Sequence, residues 1–335
     1  MDHLYCAFVQ VATSKAIREL TVPPGNSIRL DQFLIMQQVE SSRRRARELL
    51  ASGAVRVNGR LPRKGQPLRT GDVVTIVLAT RGAAELSAEP MLPVEVLHAD
   101  GDVIALNKPS GMPSTARRIT DRGTVANFLS ARFPELRKVG NTLESGLVHR
   151  LDTETSGILI AGRTTSAYAR LRRQFRSNVV DKDYLALVAG RLDRPGLITQ
   201  SIAHMPRRPR RMCVCVNRAK ARALGARPAE TAFRPLRVAV GATLIAVNIR
   251  TGVRHQVRVH LASIGHPVLG DRLYADGLPV DVAAPRLLLH AWRLSFTHPK
   301  DGAHLRLQAS IPADFRGVLS RLSWQEPKPK EWDQF

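Results

Sequence analysis

Residues 146–160, GLVHRLDTETSGILI, restrict the fold of this chain more than any other stretch. Two apolar runs flank His149, Arg150 and Asp152. The first, 146–151, reads as a buried strand, and the second opens at Ile158. An ion buried without a partner costs on the order of several kcal/mol. The two runs therefore cannot form one continuous core strand. Either the chain turns here and solvates its charges, or Asp152 is held in a cleft for a purpose.

The surroundings bound the choice. A chain of 335 residues, 44% of them hydrophobic, can build one large domain and a small one. No run of 18 apolar residues occurs, so no transmembrane helix is expected, and the first residues lack the basic-then-apolar order of a signal peptide. Cys6, Cys213 and Cys215 suit a reducing cytoplasm better than a disulfide scaffold, and Cys213-x-Cys215 alone is too little for a zinc site. Lys and Arg number 51 against 28 acids, a net charge of +23. Such an excess attracts polyanions; nucleic acid is the first expectation and an anionic membrane surface the second.

Residues 28–79 read as a compact unit. Leu30, Phe33 and Leu34 have helical spacing. ESSRRRARELLASG offers Ser41 or Ser42 as N-cap and Gly53 as the stop of a second helix, with Ala46, Leu49 and Leu50 inward and Arg43, Arg44, Arg45 and Arg47 over much of the rest. Asn58-Gly59 then signals a tight turn between strands. The succession Arg-Leu-Asp-x-x-Leu, Ser-Arg-x-x-Ala-x-x-Leu-Leu-x-x-Gly-x-Val-x-Val-Asn-Gly and Leu-x-x-Gly-Asp-x-Val resembles the S4 RNA-binding domain. That resemblance makes Arg43, Arg44, Arg47, Arg56 and Lys64 candidate phosphate contacts, which position a protein on RNA without reading its sequence. Residues 1–27 read as an N-terminal segment, 80–92 as a linker and 321–335 as a C-terminal tail.

Residues 93–320 mix strands and helices without a regular βαβ period. The expectation is an α+β fold, a mostly antiparallel mixed sheet with flanking helices, behind a small α/β S4-like domain. No Walker loop and no GxGxxG marks a nucleotide cofactor. HRLDTETSG at 149–157 resembles the His-Arg-Leu-Asp-x-x-Thr-Ser-Gly motif of the RluA-type pseudouridine synthases. Further blocks follow in the order of that family: LNKPSGMPS at 106–114, KDYLALVAG at 182–190, TGVRHQVRVHLASIGHPVLGDRLY at 251–274 and LLLHAWRLSFTHP at 287–299. With the S4-like unit in front, the whole resembles the RluC and RluD branch. It departs from the family pattern at Thr115, Val253 and Arg254, and in a stretch at 204–228 that is longer and more basic, expected to be a surface insertion near the cleft.

The resemblance implies an RNA pseudouridine synthase that isomerises uridines, most often in large-subunit ribosomal RNA, with no metal or redox cofactor. Alternatives in the residues are an inert RNA-binding or ribosome-assembly factor with the same fold, or a synthase acting on tRNA. Asp152 takes the place of the catalytic carboxylate, by attack at the sugar C1′, addition to the ring or abstraction of a sugar proton. Arg258 takes the place of its ion-pair partner and Tyr184 that of the aromatic against the target base. Leu289 would wall the pocket, and Arg150 would enter the gap left by a flipped base. Gly157 would permit an unusual backbone angle after the Asp152 turn. His149, His255 and His260 read as structural hydrogen-bonders. RNA is the expected partner, with no membrane and no protein partner, for a cytoplasmic monomer.

Overall fold

The computed structural model describes residues 16–25, 27–37, 39, 43–51, 53–63, 65–78, 85–275, 282–328 and 331. The chain divides into two compact units, Met1–Ala84 and Glu85–Phe335. No helix of the described residues is long and apolar enough to cross a membrane.

The small unit runs β1 (Ala16–Thr21), β2 (Ile28–Arg29), α1 (Leu30–Met36), α2 (Arg43–Ala51), β3 (Val55–Val57), β4 (Pro67–Leu68) and β5 (Val73–Leu78). β5 lies between β1 and β3, antiparallel to both, and β2 pairs with β4. Part of the expected N-terminal segment is thus a strand of this sheet. Leu30, Phe33, Leu34, Ala46, Val55, Leu68, Val74 and Ile76 close its core, each large aliphatic contributing roughly 1.5–3 kcal/mol by burial. Asn58 and Gly59 both adopt positive φ, 49° and 76°, the requirement of a type I′ turn. The Asn58 side chain also bonds Asp72 and the Val73 amide. The proposed caps Ser41 and Ser42 lie outside the described residues; at the other end of α2, Gly53 has φ 72°.

The large unit runs β6 (Glu95–Ala99), β7 (Val103–Lys108), α3 (Val125–Arg132), β8 (Ser156–Gly162), α4 (Thr165–Arg176), β9 (Asp181–Ala189), β10 (Gly196–Ile198), β11 (Ser201–His204), β12 (Met212–Cys215), α5 (Arg218–Ala223), β13 (Thr231–Val238), β14 (Ala242–Ile249), α6 (Gln256–Ser263), β15 (Leu289–Thr297), β16 (His304–Gln308) and α7 (Ala313–Arg321). Among the described residues, nine strands form one sheet in the order β10-β13-β14-β9-β15-β8-β7-β6, with β16 also on β15. β15 and β8 are parallel, and the other pairs are antiparallel. Alternation along β9 feeds both faces: Tyr184, Ala186 and Val188 join the core layer of α3 and α6, and Leu185, Leu187 and Ala189 join that of α7.

Three sequence expectations meet different outcomes. Residues 146–151 do not form a strand. Only Leu147 bridges, to Ala161, because the backbone of Leu151 is bonded at both ends to the Ser114 hydroxyl instead of to a neighbouring strand. Glu85 to Leu92, read as linker, belongs to the large unit: Leu86 is buried beside Ala116 and Ala126, and the Ser87 carbonyl accepts from Asn127 Nδ2. In the expected tail, Leu322 and Trp324 pack on the α7 layer, and Glu331 pairs with Arg237 at 2.8 Å.

Candidate active site

The turn that carries Asp152 is held from beneath by the loop following β7. Lys108 is fully buried, and its Nζ donates to the carbonyls of Pro109, Met112 and Thr153 at 2.8, 2.8 and 2.9 Å. Burial lowers its pKa to about 7, against the opposing charges of Asp152 and Glu154. The Gly111 amide also donates to the Thr153 carbonyl and the Ser110 hydroxyl to the Glu154 carbonyl. The block LNKPSGMPS therefore serves as a cradle for residues 151–154. The turn closes with Thr155 N–H on the Asp152 carbonyl at 3.1 Å. Gly157 follows with φ 117°, and a Cβ there would lie 2.1 Å from the Ala291 carbonyl oxygen; only glycine permits β8 to meet β15.

Asp152 projects into a cleft of about 590 Å³. Its Oδ2 accepts from Arg258 Nη1 at 3.1 Å. Arg258 lies on α6, 6% exposed, and gives Nε and Nη2 to Asp271 at 2.7 and 2.8 Å. Burial alone would lower the arginine pKa, but the hydrogen bonds and charge of Asp271, then those of Asp152, raise it. Asp271 is itself anchored by the amides of Leu273 and Tyr274. Tyr184 and Leu289 line the same cleft, both buried. Burial first and Asp152 second push the Tyr184 phenol pKa up, so it remains protonated. Arg150 is exposed at the mouth. The five residues expected to act together thus line one cavity. Its other lining charges are Arg172, Arg176, Lys182, Arg227 and Arg254, and among the described residues Asp152 is its single carboxylate. Such a cavity draws in a polyanion and meets it with one acid.

Residues 102–263 match the family model described as RNA pseudouridylate synthase, and residues 28–74 match the S4 domain. The chain is 32% identical over 311 residues to "Ribosomal large subunit pseudouridine synthase D" of Nitrosomonas europaea, covering 91% of this chain and 87% of that one. It is 37% identical over 306 residues to an "Uncharacterized RNA pseudouridine synthase" of Chloroflexus aurantiacus, covering 91% and 93%. The chain belongs to the RNA pseudouridylate synthase family. Its fold is that of the human "RNA Pseudouridylate Synthase Domain Containing 4", with TM-score 0.55 and 24% identity over 70% of this chain and 95% of that one.

The synthase carries functional features that sequence reasoning did not single out. Asp271, within the family block 251–274, aims Arg258 at Asp152; the signal available was an acid next to a glycine. Lys108 stood in the first block but as a motif letter, not as a triple carbonyl donor. His149 and His260 have bonding of a structural kind. His149 Nε2 accepts from the Ile160 amide at 3.0 Å while the ring stacks on Phe175 at 4.5 Å. His260 bridges Thr231 and the Gln200 carbonyl. Of the departures from the family pattern, Val253, Arg254 and the stretch 204–228 are linked in space. Val253 packs with Ile202 and Met212 of the β11–β12 hairpin, and Arg254 donates to the Pro209 and Arg210 carbonyls at the hairpin tip.

In the small unit, Arg47 and Arg56 are exposed, and Arg56 Nη1 donates to the Gly59 carbonyl at 3.1 Å. Arg47 lines a second cavity of about 570 Å³ with Arg29 and Arg63. The backbone of Arg43 and Arg44 lies in α2, their side chains lie outside the described residues, and so does Lys64.

Proposed function

We propose that this synthase isomerises uridine to pseudouridine in large-subunit ribosomal RNA, with Asp152 as the catalytic carboxylate. The observation that carries the reading is Asp152 itself: the one carboxylate among the residues lining a basic cleft, fixed by an arginine that a buried aspartate orients. The ribosomal target rests on relatives bearing that name over about nine-tenths of the chain and on the S4 domain.

The reaction breaks the C1′–N1 bond with the electron pair left on N1, turns the uracil and joins C1′ to C5; the C5 hydrogen departs as a proton, and N1 takes one up. Arg258 holds Oδ2, while Oδ1 makes no hydrogen bond among the described residues and is the oxygen open to the reacting sugar. A target base enters the cleft only after leaving its stack. There Tyr184 and Leu289 supply apolar surface, and Arg150 stands at the mouth where the base came from. The basic lining offsets the charge of the flanking phosphates.

The test is pseudouridine mapping across large-subunit rRNA with and without the chain, alongside tritium release from [5-³H]uridine-labelled rRNA. One or more uridines should convert, and Asp152→Asn should abolish release while the RNA dissociation constant stays near wild type, since asparagine keeps shape and loses the charged oxygen. Turnover by Asp152→Asn within tenfold of wild type would sink the role of Asp152. Conversion confined to tRNA would overturn the ribosomal target.

A further inference from the structure

His255 stands apart from the structural histidines. It caps α6 with a left-handed backbone, φ 56°, a conformation that a non-glycine residue keeps only where its surroundings over-determine it. Its side chain is 7% exposed in the cleft wall. Nδ1 lies 2.8 Å from the Tyr274 hydroxyl, whose oxygen already accepts from the Met212 amide at 2.8 Å. The hydroxyl hydrogen is left with Nδ1 as its acceptor, so Tyr274 donates to His255 and the imidazole hydrogen resides on Nε2. Burial pushes the imidazole pKa down to about 4; Asp152 and Asp271 oppose this, while Arg258 and Arg254 reinforce it. The ring is therefore neutral near pH 7, a donor at Nε2 and an acceptor at Nδ1.

Nε2 is 3.8 Å from Asp152 Oδ2, too far for a hydrogen bond, and makes no hydrogen bond among the described residues. A fixed donor and a fixed anionic acceptor thus border one space. An atom about 2.8 Å from both must accept from one and donate to the other. In a uridine within an RNA strand the uracil carbonyls only accept, N3–H only donates, and the 3′ and 5′ oxygens are esterified. The 2′-hydroxyl alone does both.

We propose that His255 Nε2–H and Asp152 Oδ2 together clamp the ribose 2′-hydroxyl of the target uridine, and that this clamp is where the enzyme distinguishes RNA from DNA. The proposal rests on the reading of Asp152 as the catalytic carboxylate. C1′ is two bonds from the clamped oxygen, so the clamp brings the anomeric carbon to Asp152, with Oδ1 still free. Tyr274 is a positioning residue: it fixes the tautomer, and its ring centre lies 5.3 Å from the guanidinium of Arg258 and 5.6 Å from that of Arg211 of the basic hairpin.

The test uses the full chain and a synthetic RNA spanning the uridine located by mapping, made with uridine or with 2′-deoxyuridine at that one position. Single-turnover conversion by wild type should slow roughly 10- to 100-fold on the deoxy strand, the effect of losing a hydrogen bond to a charged group. His255→Phe removes one of the two clamp partners, so it should slow the uridine strand and reduce the sensitivity to the deoxy change several-fold without abolishing it, because partners in one interaction do not add. His255→Gln, which returns an N–H near Nε2, should regain part of both the rate and the deoxy sensitivity. Should His255→Phe not fold, Tyr274→Phe carries the same comparison, since it keeps the ring and removes only the hydroxyl; full deoxy sensitivity in that variant overturns the tautomer assignment. Equal wild-type rates on the two strands, or effects of His255→Phe and the deoxy change that multiply, overturn the clamp alone. A wild type inactive on the uridine strand overturns the functional reading and the clamp with it.

Discussion

Arg258 serves two carboxylates of different kinds. Asp271 is wholly buried and binds it through two nitrogens; Asp152 is partly exposed to the cleft and takes the third. Removing the arginine strands Asp271, and an uncompensated buried charge costs roughly 3–5 kcal/mol. Arg258→Met should therefore lose stability as well as turnover. The double change Arg258→Met with Asp271→Asn removes the stranded charge, and the amide oxygen can still accept from Leu273 and Tyr274. The double variant should recover much of the melting temperature and none of the rate. Thermal denaturation paired with single-turnover assays reads this. Activity returning together with stability would mean that Arg258 is a scaffold and no partner to the chemistry.

At the scale of elements, the site depends on how tightly two strands approach. β8 and β15 are parallel, with His290 opposite Ser156 and Ala291 opposite Gly157. Gly157→Ala would force a Cβ against the Ala291 carbonyl and impose positive φ on an alanine. The expected loss is at least about 3 kcal/mol from strain and overpacking together, with turnover falling as well, because the Asp152 turn feeds directly into β8. A melting temperature equal to wild type would contradict the clash. Acid sensitivity also arises within elements. Burial lowers the pKa of His149, reinforced by Lys182 and Arg172, and that of His290 to about 3, and that of His255 to about 4. Below the ordinary histidine value near 6.5, the unfolded chain binds protons that the folded chain refuses. Stability should therefore be intact above about 6.5 and decline progressively toward pH 4, by about 1.4 kcal/mol per pH unit for each such histidine. Melting curves from pH 7.5 to 4.5 measure it, and a flat profile from 7 to 5 would count against these buried neutral rings.

For the whole molecule, each unit has its own core. The residues that close the small unit all lie before residue 80, and every residue of the candidate cleft lies after 147. Deleting residues 1–84 should weaken binding to folded rRNA far more than it slows the bound complex. If the arginines of the small unit neutralise phosphates, the slope of log affinity against log salt should flatten by roughly 0.7 to 0.9 for every phosphate no longer neutralised. Affinities at three salt concentrations for both chains decide this; equal slopes would mean that the small unit does not touch the RNA backbone. The β11–β12 hairpin, with Arg207, Arg208, Arg210 and Arg211 at its tip, stays with the large unit, and with the basic cleft lining it should account for the slope that remains.

Much of this was legible from the chain alone, because local patterns have local causes. Asn58-Gly59 needs positive φ, Thr164 caps α4 by bonding the Ala167 amide, and the hydrophobic runs of β9 and β14 can form only interior strands. That the blocks around Asp152, Tyr184 and Arg258 share one cleft was implied by their resemblance to the pseudouridine synthase motifs. Pairings between distant residues were not legible. Nothing in LNKPSGMPS says that its lysine will reach three carbonyls, and nothing in VLGDRLY says that its aspartate will aim an arginine 13 positions earlier. Residues 146–151 have strand composition and yet form no strand, because a serine 37 positions away takes up the Leu151 backbone. The role of His255 depends on distances to Asp152, Tyr274 and Met212, set by α6, by the loop after it and by a hairpin. Sequence decides which residues are apolar, charged or conformationally permissive. Tertiary structure decides which buried donor meets which acceptor, and in this synthase those pairings determine where the side chains of the candidate site point.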